Sequence, residues 1–401
     1  MTEISRERLL GDLRKLAEFG KFETGVDRIA FSEPDIAARR WLCGKLTEAG
    51  LSAHMDRYGS VLGRAPEVTR AALIGSHTDS VPAGGWLDGA LGVIYGLEIA
   101  RSLRQSGVPG VDVISFQDEE GTYVPCLGSK AFCGVLADND LAKATGPGRK
   151  PLSEAMGAHD LSTAILRLDR ARHTAFFEAH IEQGPRLEAA GCPIGVVTAI
   201  VGIRRFRVTA SGQPDHAGTT PMNMRRDAGA ALIAAAQAIL ESFRSLAGPE
   251  TVWNIGAMSF SPGAANVVPA EATMIVEFRD TDAAMLNLLE GSFSEIVSSR
   301  DGKDNVAIAA QGIGQVHPVA LDKRLGDHIA SAASARGIKP MFMPSGAGHD
   351  AMVLGPIIPC AMMFVPSIGG RSHTVLENTS NDDIVVGCQV LADAVRAHLQ
   401  D

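Results

Sequence analysis

Apolar and polar positions follow two different rhythms along this chain, and the change between them divides it into parts. Residues 5–19 carry apolar side chains at helical spacing with charged ones between them. Ser32 reads as an N-cap, with Pro34 in the first turn of a helix that runs through Leu46 and stops near Gly50. The short apolar run Ala71–Gly75 reads as a buried strand, Val111–Phe116 and Ala175–Ala179 as the next strands, and 89–103 as a helix between the first two. Strands alternating with helices in this way predict an open α/β sheet with helices on both faces.

Near residue 204 the pattern changes. Residues 205–210 alternate as a half-exposed strand, and an Ala-rich helix follows over 227–243. Residues 251–258 and 272–278 read as strands, and 283–297 as a helix. From about Val319 the first pattern resumes, with a helix to Ala335, a strand at 361–365 and a last helix over 382–398. The expected fold is therefore a mixed open sheet with helices on both faces, built from 1–204 and 319–401, interrupted by an α+β domain over 205–318.

Composition narrows the function. The formal net charge of −9 and pI near 5.7 give no basic face for tracking phosphates, so nucleic acid is not an expected partner. No stretch approaches the roughly 20 apolar residues of a membrane span. The first residues, MTEISRERLLGDLRKL, lack the apolar core of a secretory signal, so the cytoplasm is the expected location. Cys43, Cys126, Cys133, Cys192, Cys360 and Cys388 form no CxxC pair and read as reduced, small apolar residues.

Four short stretches carry candidate chemistry, and each follows a predicted strand. Gly75-Ser76-His77-Thr78-Asp79 leads to Leu87-Asp88-Gly89 at the head of a helix. His77 offers an imidazole that Asp79 could orient, and Asp88 a carboxylate that could bridge two cations. Asp118-Glu119-Glu120-Gly121 supplies adjacent carboxylates that point apart, so one can hold a metal while the other handles a proton. His180-Ile181-Glu182-Gln183 and Arg371-Ser372-His373 complete the set. Any one alone could be a helix cap, an acidic turn or a surface histidine. Together they supply three histidines and two carboxylates at strand ends, where ligands of open α/β sheets gather.

With these stretches in order, the chain resembles the M20 peptidase superfamily. GSHTDSVPAGGWLDG, DEEG, EAHIEQGP, DHAGTTPM, ANVVPAEATMIVEFRD, SGAGHDAM and RSHT resemble most closely its hydantoinase/carbamoylase branch. The resemblance implies a metal-dependent amidohydrolase that cuts a carbamoyl or related C–N bond with a metal-activated water. It implies two divalent ions per subunit, zinc first, with manganese, cobalt or nickel also suited to such donors. His77 and His180 would hold one, Glu120 and His373 the other, with Asp88 between them. Glu119 would be the general base, and His216 would stabilise the oxyanion in the active site of a second copy, making a homodimer. Gln183, Asn266, Arg279 and His349 would position a small carboxylate-bearing substrate, and the inserted domain would be lid and dimerisation domain. Trp86, Thr122–Cys126 and Thr374–Glu377 depart from the branch's usual pattern, which bears on the substrate rather than on the ligands.

Overall fold

A computed structural model describes residues 3–142, 144–146 and 148–401. It separates into two compact units, one made of Met1–Thr198 and Ala320–Asp401, the other of Ala199–Val319.

Four parallel strands form the middle of the first unit's sheet, side by side in the order Cys360–Val365, His173–Ile181, Ala71–His77 and Val111–Phe116. Every residue of the strands at 71–77, 111–116 and 360–365 is buried. A strand covered on both faces is mostly apolar on both, as in Ala71–Gly75 and Cys360–Val365, and a buried polar residue such as Asp112 is paired, here with Arg172. Val61–Arg64 and Ser52–Met55 extend one edge in antiparallel fashion, and Gly195–Ile200 pairs antiparallel with the other side. Tight strand approach explains Gly75, where an added Cβ would lie 1.8 Å from the Ile114 carbonyl oxygen.

The helix Ala90–Gln105 is buried along most of its length, and its Leu91, Ile94, Leu97 and Leu103 enter the main core with Leu9, Leu13, Leu42, Ile329 and Val395. The helices Arg6–Ala17, Glu33–Glu48 and Asn381–Gln400 start at Ser5, Ser32 and Ser380, whose side chains each accept a backbone N–H of the first turn. The Ser32 cap and the Pro34 turn are as the sequence predicts.

His398 shows how this unit responds to acid. Thr174 donates its hydroxyl to the Ala71 carbonyl, so the 2.9 Å contact between Thr174 and His398 Nε2 is a bond donated by the ring. Burial, with Arg324, His328 and Arg70 nearby and only Asp401 opposing, lowers His398 to about 4. An unfolded histidine titrates near 6.5. Between these values the unfolded chain binds a proton that the folded one excludes, so this contribution is full above about pH 6.5 and is lost as pH falls. The midpoint of thermal unfolding is expected to drop less between pH 7 and pH 5 in His398→Gln, which keeps a donor for Thr174, than in wild type. An equal drop in both removes His398 from the acid response.

The second unit is a four-stranded antiparallel sheet in the order Val252–Ser261, Glu271–Asp280, Gly202–Ser211, Ala307–Val316. The strand at 271–280 alternates between exposed or half-buried and buried positions, the pattern of a sheet covered on one face. The helices Ala228–Leu246 and Ala283–Arg300 supply that cover, packing Leu232, Ile239, Phe243, Leu286 and Phe293 on Val208, Met274, Val276 and Phe278.

The sequence passes over several strands. Ser52–Met55, Val61–Arg64 and Met341–Ser345 are short, and Ala307–Val316 is rich in Ala, Gly and Gln, residues of low strand preference. Pairing decides them: Ala307–Val316 pairs with residues 203–211 of the strand Gly202–Ser211.

Candidate metal centre

The carboxyl ends of the four parallel strands bring the candidate ligands of the first unit together. His77 is the last residue of its strand, and His180 is next to last in the adjacent one. Glu119 and Glu120 follow the strand at 111–116, and His373 lies in the loop after 360–365. Two donor groups result among the described residues, His77/Asp88/His180 and Asp88/Glu120/His373, each with its ligand atoms within 4.8 Å of one another. Asp88 belongs to both. Its Oδ1 lies 3.4 Å from His77 Nε2 and 3.2 Å from His180 Nε2, and its Oδ2 lies 3.5 Å from His373 Nε2. His373 Nε2 is also 3.6 Å from Glu120 Oε2.

The chemistry of this donor set fits divalent cations. His77 Nδ1 is 3.0 Å from the Asp79 carbonyl oxygen and His180 Nδ1 is 2.9 Å from that of Ile181. A carbonyl oxygen only accepts, so both rings carry a proton on Nδ1, and in their neutral form present the Nε2 lone pair toward Asp88. The His180 Nε2 also accepts the Gly89 N–H at 3.0 Å, and two neutral rings facing one carboxylate oxygen repel it unless a proton or a cation supplies positive charge there. Glu120 Oε1 is buried and has no hydrogen-bond partner, which also fits a cation ligand.

The titration of the buried groups has the same origin. Burial alone would lower His77, but Glu119, Asp88 and Asp79 outweigh it and raise the ring well above its ordinary value. Burial raises Glu119 well above the usual carboxylate range, with His77 opposing and Glu120, Asp350 and Asp88 adding to the rise. Burial and Asp88 raise Glu120 as well. Glu119 belongs to neither ligand group, yet its Oε2 is 3.7 Å from His77 Nε2, beside the first of them.

Residues behind the centre hold it in place. Arg39 is fully buried and bonds Asp35 Oδ1 at 2.7 Å and Asp79 Oδ1 at 3.2 Å. Asp79 in turn accepts the His77 ring through its carbonyl and the Glu120 N–H through Oδ2 at 3.3 Å. The sequence suggested a carboxylate partner for His77; the structure gives that bond to the Asp79 backbone and turns the Asp79 carboxylate toward Arg39 and Glu120. Gly89 opens the helix at φ 62, and an added Cβ there would lie 2.4 Å from the His77 ring. Glycine is the residue that tolerates both demands.

The remaining candidates are distributed over both units. Gln183 donates from Nε2 to Asp88 Oδ2 at 2.8 Å, and its buried Oε1 has no partner. His349 is buried, 2.8 Å from Ser345 Oγ, with its ring edge-on to His180 at 4.7 Å between centroids. His216, Asn266 and Arg279 lie in the second unit. His216 is exposed, and its Nδ1 accepts the N–H groups of Gly218 and Thr219 at 3.0 and 3.2 Å, so the neutral ring carries its proton on Nε2. The Asn266 carbonyl accepts the Ala217 N–H, and Arg279 pairs with Glu277 at 2.7 Å. Trp86 packs partly buried against the main core. Arg39 was missed because an arginine within a helix reads as a solvated side chain, and Glu377, buried beneath Asp88, was read only as part of a departing stretch.

Fold and site define an α/β protein whose parallel strands gather two His/carboxylate ligand groups at their carboxyl ends. The model described as Peptidase family M20/M25/M40 matches residues 73–397. The chain is 35% identical to N-carbamoyl-L-amino-acid amidohydrolase of Paenarthrobacter aurescens over 98% of this chain and 97% of the relative. It is 33% identical to allantoate amidohydrolase of Escherichia coli (strain K12), covering 96% of each. An amidase of the hydantoinase/carbamoylase family from Burkholderia phymatum superposes with a TM-score of 0.94 at 44% identity, over 100% of this chain and 99% of that one. The chain belongs to the M20/M25/M40 peptidase family, in its hydantoinase/carbamoylase branch.

Proposed function

We propose that the protein hydrolyses the carbamoyl C–N bond of an N-carbamoyl amino acid, giving the amino acid, carbon dioxide and ammonia with the uptake of one water. The observation that carries the reading is Asp88, each of whose oxygens faces a different set of candidate ligands. His77 and His180 would hold one divalent cation with Asp88 Oδ1, and Glu120 and His373 a second with Oδ2. Bound there, such ions acidify water toward neutrality and polarise a carbonyl oxygen.

The chain's own residues do the rest. Glu119, whose proton affinity burial raises, takes a proton from the attacking water and returns it to the departing nitrogen. Gln183, with Oε1 free to accept, holds a ureido N–H, and His349 helps to seat the substrate. His216 presents a donor at Nε2 and would stabilise the oxyanion in a second copy of the chain, for which the inserted unit serves as lid and dimerisation domain. Arg279 would clamp the substrate carboxylate through its guanidinium fork, with Asn266 beside it. The relative that acts on allantoate supports a second reading, hydrolysis of a ureide by the same residues. N-acyl amino acids, which carry a carbon substituent where the ureido group has NH₂, are a further variant that the same residues would cut.

The test is ammonia release by the zinc- or manganese-loaded protein from N-carbamoyl-L-amino acids, allantoate and ureidoglycolate, with amine release from N-acetyl amino acids in parallel. Turnover of a carbamoyl amino acid, lost with chelator and restored by metal, is the expected result. Turnover confined to allantoate establishes the ureide reading, and activity on N-acetyl compounds alone overturns both.

A further inference from the structure

The two ligand groups are held with unequal firmness. His77 and His180 sit on buried strands, with their Nδ1 atoms tied to backbone carbonyls. His373 lies in a loop at φ 56, with its side chain 51% exposed. Among the described residues its Nε2 faces Asp88, Glu120 and Gln183, which belong to the site itself. Something other than the ring must therefore fix this loop against Asp88.

The carboxylate of Glu377 does so. It is 2% exposed, and its Oε1 accepts the backbone N–H groups of Leu87 and Asp88, both at 3.0 Å. Its Oε2 lies 3.0 Å from the hydroxyl of Ser372, the residue before His373, and that hydroxyl is also 2.9 Å from Asp88 Oδ2. One hydrogen serves both carboxylates, so Ser372 is a latch between them. The chain makes room for this contact at Gly85, where an added Cβ would lie 1.9 Å from the Glu377 carboxyl carbon. One buried side chain thus joins the backbone of Asp88 to the loop carrying His373, across 289 residues of sequence.

We propose that Glu377 and Ser372 are a positioning pair that assembles the Asp88/Glu120/His373 group, so that the second cation depends on them far more than the first, whose two histidines are held by their own backbone bonds. This rests on the two-cation reading above. It is tested by equilibrium dialysis of the metal-stripped full-length protein against zinc alone, with circular dichroism of each variant in chelator. Wild type is expected to take up two equivalents. Glu377→Ala should keep one tight equivalent and bind the other about 10–100-fold more weakly, the usual range for a lost outer partner of a ligand. Gly85→Ala, which pushes the carboxylate away, should behave the same, and Ser372→Ala should weaken only the second equivalent, by about tenfold.

Glu377→Gln separates geometry from charge. Its amide oxygen can accept both N–H groups and its amide nitrogen can donate to Ser372, which leaves the hydroxyl hydrogen for Asp88. Two equivalents at near wild-type affinity are therefore expected. Should Glu377→Ala not fold, Gly85→Ala and Ser372→Ala decide. The proposal is overturned if the folded variants bind both equivalents as wild type does, if both equivalents weaken together, or if Glu377→Gln fails as badly as Glu377→Ala. Fewer than two equivalents in wild type would overturn the two-cation reading itself and this proposal with it.

Discussion

Glu119→Gln is expected to lower kcat and kcat/KM together by about 10²- to 10⁴-fold, the range for losing a general acid–base group. The two fall together because the proton transfer occurs only in the transition state, while substrate is held by other residues. Glutamine fills the same space but cannot take a proton from water. Glu119 lies outside both ligand groups, so the variant should still bind two equivalents of zinc. It also relieves the crowding of buried carboxylates, since Glu120, Asp350 and Asp88 all raise Glu119. The variant's unfolding midpoint in chelator should therefore not fall. Steady-state kinetics and metal content of the same preparation check the prediction. Unchanged turnover removes Glu119 as the base, and lost turnover with lost metal makes it a ligand instead.

The sequence shows the centre best where chemistry follows directly on a strand. Ala71–His77 and Val111–Phe116 are mostly apolar and lead directly into His77 and Asp118-Glu119-Glu120, so both the strand and the reactive groups at its end can be read from one short segment. His180 and His373 follow the same logic on the neighbouring strands. What supports these groups is hidden, because it comes from elsewhere in the chain. Arg39 belongs to a helix 40 residues before Asp79, and nothing local says that its guanidinium is fully buried. Glu377 stands in the sequence four residues after His373, but its role depends on N–H groups at 87 and 88. The same reason hid Ala307–Val316: it is a strand through its pairing with Gly202–Ser211, against the preference of its own residues. Positive φ at Gly89 and the space left at Gly85 are likewise properties of what packs against them.

Asp88→Asn should abolish activity by a different route from Glu119→Gln. Asp88 is the one residue common to both ligand groups, and its two oxygens are divided between them. An asparagine offers one neutral acceptor and turns an NH₂ toward the other group, where Gln183 and Ser372 already donate to Oδ2. The shared negative charge is gone, and neither cation retains a full set of anionic and imidazole donors. Zinc uptake is expected to fall below one equivalent per chain, and ammonia release to background. Unfolding midpoints show whether the fold survives. Anything that binds only the folded state raises the midpoint, so wild type should be stabilised by saturating zinc relative to chelator. Asp88→Asn should unfold cooperatively in chelator yet gain little from zinc. A variant that keeps both equivalents and the zinc-dependent rise would show that Asp88 does not link the two groups, and the two-cation reading would lose the observation on which it stands.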